Sequence, residues 1–220
     1  MPDRNRRRLL VAAPAVAAAL AGGSFLAGTA PARAQAQGYE LVEPAQNTST
    51  PDAVEVTEFF WLGCPHCYSF EPYIEDWKAD MPSGAVLVRE APPLNPSWEQ
   101  HSRAFYAARA LGHEDEFVVA AFEAIHRDGK RLRKPAEIAE VAASVGMDPD
   151  EFEKAMGSFT VETALRRSVK LARGAGLTGV PTVVINGKYR TGAALAGGNA
   201  GIIDVIDRMV AIEKRSLGLE

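Results

Sequence analysis

Valine, phenylalanine, tryptophan and leucine crowd positions 54–62 (VEVTEFFWL) around three polar residues, Glu55, Thr57 and Glu58. So β-prone a segment predicts a buried strand. It ends at Gly63, and the pattern then becomes helical from about Cys64 through Trp77. Pro65 falls in the first turn, where a missing N–H costs nothing, whereas Pro72 is predicted to kink or interrupt the helix. Ser83-Gly84 reads as a turn, and Ala85 to Glu90 as a second strand closed by Pro92-Pro93.

From Pro96 to about Gly174 the periodicity is helical, in segments near 97–111, 114–127, 135–145, 149–157 and 160–173. Gly112, Asp128-Gly129, Lys134-Pro135 and Gly146-Met147-Asp148-Pro149 mark the breaks. The Glu114-Asp115-Glu116 run suits a helix N-terminus, where the dipole favours negative charge. Strand chemistry returns at Pro181 to Ile185, followed by the hairpin signal Asn186-Gly187 and by Lys188 to Thr191. A glycine-rich link, Gly192 to Gly201, leads to a final helix near 202–215. The order is strand, helix, strand, helical block, hairpin, helix. It predicts an α/β domain in two parts, residues 53–96 and 174–220, with an all-helical insertion over 97–173.

The first residues read differently. Arg4, Arg6, Arg7 and Arg8 precede an Ala/Val/Leu run from Leu9 to Leu26, and Ala32-Arg33-Ala34 has the small-x-small pattern of a cleavage site. Residues 1–34 are therefore expected to be an export signal cut before Gln35, in preference to a retained anchor. Arg6-Arg7 leaves twin-arginine export open beside the general route. Residues 35–52 are expected to be a flexible polar leader. The signal carries five arginines and one aspartate, a net +4, so the chain at −4 overall becomes −8 once cut. An acidic mature protein without a basic block argues against nucleic-acid binding.

The only two cysteines, Cys64 and Cys67, stand three positions apart. Closing so short a loop removes little chain entropy, which makes structural stapling a poor reason for the pair. Zinc requires about four ligands, and His101, His113 and His126 form no close H-x-x-x-H set around the motif. Attached haem wants C-x-x-C-H, but Tyr68 follows Cys67. Redox exchange is the favoured reading. A strand feeding Gly63 and then a helix puts the Cys64 sulfur at a helix N-terminus, where free N–H groups favour a thiolate. Cys67 lies one turn deeper. Cys64 is thus expected to be the exposed nucleophile and Cys67 the resolving thiol, with His66 favouring the thiolate further.

Glu58-Phe59-Phe60-x-x-x-Cys64-Pro65-His66-Cys67-Tyr68-x-Phe70-Glu71 resembles the active-site segment of the DsbA family of periplasmic thiol–disulfide oxidoreductases. Gly179-Val180-Pro181-Thr182, followed by Asn186-Gly187-Lys188-Tyr189, is similar to that family in kind and order. The resemblance implies a thioredoxin-like fold and a cis peptide between Val180 and Pro181, set against the cysteines and in reach of an extended substrate. The low-pKa, strongly oxidising cysteine is likewise an implication of that family. Glu58 would be a buried proton-handling group beneath the cysteines, with Arg89 as a charge partner; the alternative places Glu58 on a solvated face. Trp61 is open to two roles, groove rim or core.

The function these features imply is a disulfide donor acting on reduced exported proteins in the periplasm. Re-oxidation would come from a membrane oxidase of the DsbB type, and no metal or organic cofactor is implied. A reductase or isomerase of the same fold is the nearest rival, and a peptide-binding chaperone with incidental cysteines is a rival of another class.

Overall fold

The computed structural model describes residues 37–219, so the expected export signal and the first two leader residues lie outside the described residues. Five strands form one mixed sheet. They are β1 (Glu40–Leu41), β2 (Val54–Phe59), β3 (Ala85–Glu90), β4 (Thr182–Ile185) and β5 (Tyr189–Thr191), in the order β1-β5-β4-β2-β3. Strands β2 and β3 run parallel, from Val54 opposite Ala85 to Phe59 opposite Glu90. A parallel pair needs a crossover, and helix α1 (Pro65–Ala79) supplies it. The β4–β5 hairpin adds antiparallel to β2, with Phe59 opposite Thr182. Its turn holds Asn186 and Gly187 at φ 48° and 66°, the left-handed pair that a two-residue hairpin demands.

Every residue of β2 is buried, so both faces of the sheet are covered. One face carries Val54 and Val56 and packs on Phe70, Ile74 and Trp77 of α1. Ile202, Val205, Ile206 and Met209 of the last helix close the same core. The opposite face, with Phe59 and Val184, meets Ala172 and Ala175 from the end of the helical block. That block lies between β3 and β4 and comprises α2 (Glu99–Ala110), α3 (Glu114–His126), α4 (Pro135–Ser144), α5 (Pro149–Met156) and α6 (Phe159–Gly174). A 3₁₀ turn at Pro96–Trp98 introduces it. The core of the block continues into Phe60, Leu62, Cys64 and Cys67, so the segment joining β2 to α1 belongs as much to the block as to the sheet.

Three expectations need correction. The residues expected to be a flexible leader are structured from 37 onward. Glu40–Leu41 pairs with β5, and Val42 N–H donates to the Lys188 carbonyl at 2.8 Å. Further on, Gln46 N–H donates to the Gly187 carbonyl at 2.9 Å. The outer edge of β5 has ladder groups to satisfy, and a two-residue strand is too short to show alternation. Pro72 does not interrupt α1, which is continuous from Pro65 to Ala79. A proline there removes one N–H bond to the Tyr68 carbonyl, while Phe70, Ile74 and Trp77 anchor the helix on both sides of it. The glycine-rich link contains a short helix α7 (Ala193–Ala196), and α8 (Asn199–Leu217) starts earlier than expected. Gly201 permits this junction, because a Cβ there would strike the Ala196 carbonyl.

The hairpin is tied to α8 by one buried carboxylate. Glu213 accepts hydrogen bonds from Asn186 Nδ2 at 2.5 Å, Lys188 Nζ at 2.6 Å and the Tyr189 hydroxyl at 3.0 Å. These bonds hold its carboxyl below the ordinary carboxylate range against the opposing effect of burial. The turn joining β4 to β5 is thereby tied to α8.

Phe70 is fully buried between sheet, α1 and α8. Phe70→Ala is expected to cost about 3–5 kcal/mol, as cavity formation at a closed aromatic site does. Urea unfolding should show this as a lower midpoint with an unchanged slope.

Candidate active site

Cys64 is the N-cap of α1, with extended backbone angles (φ −89°, ψ 117°), and Pro65 occupies the first helical position. Its own N–H donates to the Trp61 carbonyl at 2.9 Å, closing a tight turn out of β2. Gly63 is required in that turn, because the Trp61 ring lies across it where a Cβ would stand. Trp61 in turn stacks on Trp98, with centroids 4.6 Å apart and planes 6° apart, and on His101 at 5.7 Å. Of its two expected roles, then, Trp61 packs half-buried against the helical block.

Cys64 is not the exposed thiol that was expected. It retains 8% of its accessible surface, against 0% for Cys67. The order of accessibility holds, but the margin is small. The cause is the loop opposite, where the Val180 carbonyl stands 3.6 Å from Cys64 Sγ. The Val180–Pro181 peptide is cis, as is Glu43–Pro44. Beside it opens a groove of about 480 Å³, lined by His66, Val180, Pro181, Gly192, Ala193 and Asn199 among others. His66 is exposed at its rim. The structure thus brings Cys64, Pro65, His66, Cys67, Val180 and Pro181 together at one end of the sheet.

The two sulfurs differ sharply in proton affinity. The Cys64 thiol is lowered to about 6, first because the Cys67 thiol can donate a hydrogen bond to the Cys64 sulfur. Burial opposes this; the backbone N–H groups of Cys67 and His66 and the charge of His66 add to it. Cys67 moves the other way, driven up by burial, by its bond to Cys64 and by the nearby negative charges of Cys64 and Glu58.

Glu58 is buried to 1%, as expected, and its partner is Arg89. The two are opposite each other on β2 and β3, so their side chains share the α1 face of the sheet. Arg89 Nε donates to Glu58 Oε2 at 3.1 Å, and Nη2 to both Glu71 and Glu75 of α1 at 2.8 Å. Asp115 of α3 lies 3.7 Å from Arg89 Nη1 and 2.6 Å from Lys78 Nζ. Three carboxylates therefore hydrogen-bond one buried guanidinium with Asp115 as a fourth at 3.7 Å, and among the described residues Glu58 Oε1 has no hydrogen-bond partner. Burial pushes the Glu58 carboxyl up, and Arg89 offsets only part of this. Glu71 rises to about 7 for the same first reason, also against Arg89.

Glu71 and Glu75 were not singled out from the sequence as members of this cluster. A signal existed: Glu71 follows Cys67 by four residues and Glu75 follows Glu71 by four, so all three fall on one stripe of α1. His126 was also missed. It stacks on Tyr68 and contacts the loop before Cys64, a tertiary contact without local signature.

A C-x-x-C pair at a helix N-terminus, faced by a cis-proline loop across a mixed sheet, defines a thiol–disulfide oxidoreductase with a thioredoxin-like fold. Comparison with known proteins makes the assignment particular. The family model described as "DSBA-like thioredoxin domain" matches residues 55–200, and the chain belongs to this family. The thiol:disulfide interchange protein DsbA of Azotobacter vinelandii is 41% identical over 164 residues, 74% of this chain and 77% of that protein. That of Pseudomonas aeruginosa strain PAO1 is 36% identical over 90% of this chain and 94% of its own length. A crystal structure of Pseudomonas aeruginosa DsbA superposes with a TM-score of 0.77 at 35% identity, covering 81% of this chain and 93% of that one. The DsbA of Xylella fastidiosa does so with 0.76 at 26% identity, over 81% and 96%.

The carboxylate cluster has a pH signature. A carboxyl whose folded pKa is raised binds its proton more tightly in the native state, so its stabilising effect is present at low pH. It is lost as pH rises through about 7. Glu71→Gln is therefore expected to raise stability above pH 7 by about 1–3 kcal/mol, with little effect near pH 4. Thermal unfolding across that range checks it, and equal gains at both ends would rule out carboxyl titration as the cause.

Proposed function

We propose that the chain is a disulfide donor in the periplasm, with Cys64 as the sulfur attacked by substrate and Cys67 as its internal partner. The observation that carries this reading is the placement of the two sulfurs: Cys64 caps α1 and faces the cis Val180–Pro181 loop, with the Val180 carbonyl 3.6 Å from its sulfur, while Cys67 is fully buried one turn deeper. In the reduced protein Cys64 is stabilised as thiolate by the Cys67 thiol and two backbone N–H groups, while Cys67 stays protonated. Stabilising the reduced form makes the oxidised bond easier to transfer, by about 30 mV for each 1.4 kcal/mol.

Electrons and protons balance over two exchanges. A substrate thiolate attacks Cys64 Sγ, forming a mixed disulfide and expelling Cys67 as a thiolate, which takes a proton. Buried Glu58, with its raised carboxyl, is suited to hold and release that proton near Cys67. A second substrate thiolate then attacks the substrate's own sulfur in the mixed disulfide. The substrate leaves oxidised, Cys64 leaves as thiolate, and two electrons stay on this protein. The groove beside Val180–Pro181 suits an extended segment that carries the substrate cysteine to Cys64.

Reduced exported proteins are the substrate class, and a quinone-linked membrane oxidase of the DsbB type is the partner that restores the disulfide. Export rests on the arginine-headed segment at residues 1–34. Among the described residues, no helix is long and apolar enough to cross a membrane.

Titrating the ultraviolet absorbance of the thiolate in the reduced protein should give a midpoint near 6. A midpoint near the free-thiol value of about 8.5 removes the basis for a donor. Because the folded pKa lies below the unfolded one, this group's stabilisation of the reduced protein is complete above about pH 8.5. It disappears as pH falls through about 6. Cys64→Ser should flatten that slope. In cells, Cys67→Ala is expected to accumulate mixed disulfides with exported proteins and Cys64→Ser to accumulate none; trapping by neither variant would favour the chaperone reading.

A further inference from the structure

The last turn of α3 holds the Cys-Pro-His-Cys motif on both flanks. On the upstream side, His126 Nε2 lies 2.8 Å from the carbonyl oxygen of Leu62, two residues before Cys64. A carbonyl only accepts, so the imidazole carries a proton on Nε2 in this arrangement. On the downstream side, the His126 ring stacks on Tyr68, the residue after Cys67, with centroids 4.8 Å apart and planes 12° apart. The Tyr68 hydroxyl then donates to Glu123 Oε1 at 2.9 Å, one turn earlier in α3. Phe122, from the same turn, packs against both rings.

We propose that His126 is a positioning residue for Cys64: its bond to the Leu62 carbonyl fixes the Trp61–Gly63 turn, and with it the placement of the sulfur over the start of α1. The inference rests on the reading of Cys64 as the reacting thiol. Its physical basis is the geometry of the N-cap. Donors to the Cys64 sulfur, the Cys67 thiol and the backbone N–H groups of His66 and Cys67, all belong to the first turn of α1, so they reach it only while the turn before Cys64 stays in register. That turn has few internal constraints. It contains Gly63, and the backbone bond that closes it runs from Cys64 N–H to the Trp61 carbonyl. The two contacts of His126 divide cleanly between its chemistry and its shape. The Nε2–H holds the turn, and the ring face holds Tyr68.

Two substitutions separate these roles. His126→Phe keeps a flat ring against Tyr68 and loses the donor, whereas His126→Gln keeps an N–H donor and loses the ring. Positioning through the hydrogen bond predicts that the Phe variant raises the Cys64 midpoint by about half a unit to one unit, a threefold to tenfold weaker thiolate. The glutathione redox equilibrium should move by a similar factor towards the disulfide form. The Gln variant should recover most of both shifts. A merely packing histidine predicts the reverse order, with Phe silent and Gln harmful, and that result overturns the proposal, as do equal shifts in the two variants. Should the Phe variant fail to fold, nitrogen-15 NMR of the histidines in the reduced wild-type protein still decides: a neutral His126 with its proton on Nδ1 is incompatible with the bond. A wild-type Cys64 that titrates like a free thiol would instead sink the donor reading. A low wild-type midpoint that His126→Phe leaves in place sinks this inference alone.

Discussion

The placement of one sulfur at the start of α1 depends on a short turn being packed from two sides. Residues 60–63 leave the sheet and enter the core of the helical block before α1 begins. Phe60 meets Phe105 edge to face at 5.0 Å, Trp61 stacks on Trp98, and Leu62 is buried to 1%. A helix N-terminus offers its free N–H groups only in the direction its first turn points. The helical block therefore does more than cover one end of the sheet. By gripping the turn, it decides that those donors converge on Cys64.

The charges beneath the motif act on the other sulfur. Arg89 cannot neutralise Glu58, Glu71 and Glu75 at once, and all but Glu75 are almost wholly buried. Excess negative charge in a low-dielectric site favours protonation of whatever lies near it. Cys67 feels this charge through Glu58, while Cys64 stands at the α1 N-terminus among hydrogen-bond donors. Two cysteines three residues apart thus come under opposite influences. That opposition is what gives a dithiol a preferred direction of exchange. The groove by Val180–Pro181 and the exposed His66 lie on the open side of the motif.

Much of this was legible along the chain because it is local. The β-prone residues 54–59, the strand at 85–90 and the five helices of the block follow from periodicity and from breakers within a few residues of each boundary. The Asn186-Gly187 turn is equally local, since only its own backbone must take positive φ. Misreadings occurred where partners are distant. β1 has no pattern of its own and exists because β5 offers an unpaired edge. Pro72 breaks a helix in isolation, but here three buried side chains hold α1 on the sheet. The modest exposure of Cys64 follows from a carbonyl 116 residues away in sequence.

The sequence by itself determined which two residues carry thiols and where the helix that follows the first of them begins. Spacing, a proline at the first helical position and a preceding glycine are properties of adjacent residues. Only the tertiary structure decided how each group behaves. Glu58 meets Arg89 across 31 positions, Glu71 joins them from α1, and His126 reaches back 64 positions to the Leu62 carbonyl. Proton affinities depend on distance, burial and the direction of dipoles, quantities that arise only when remote segments are brought within a few ångströms.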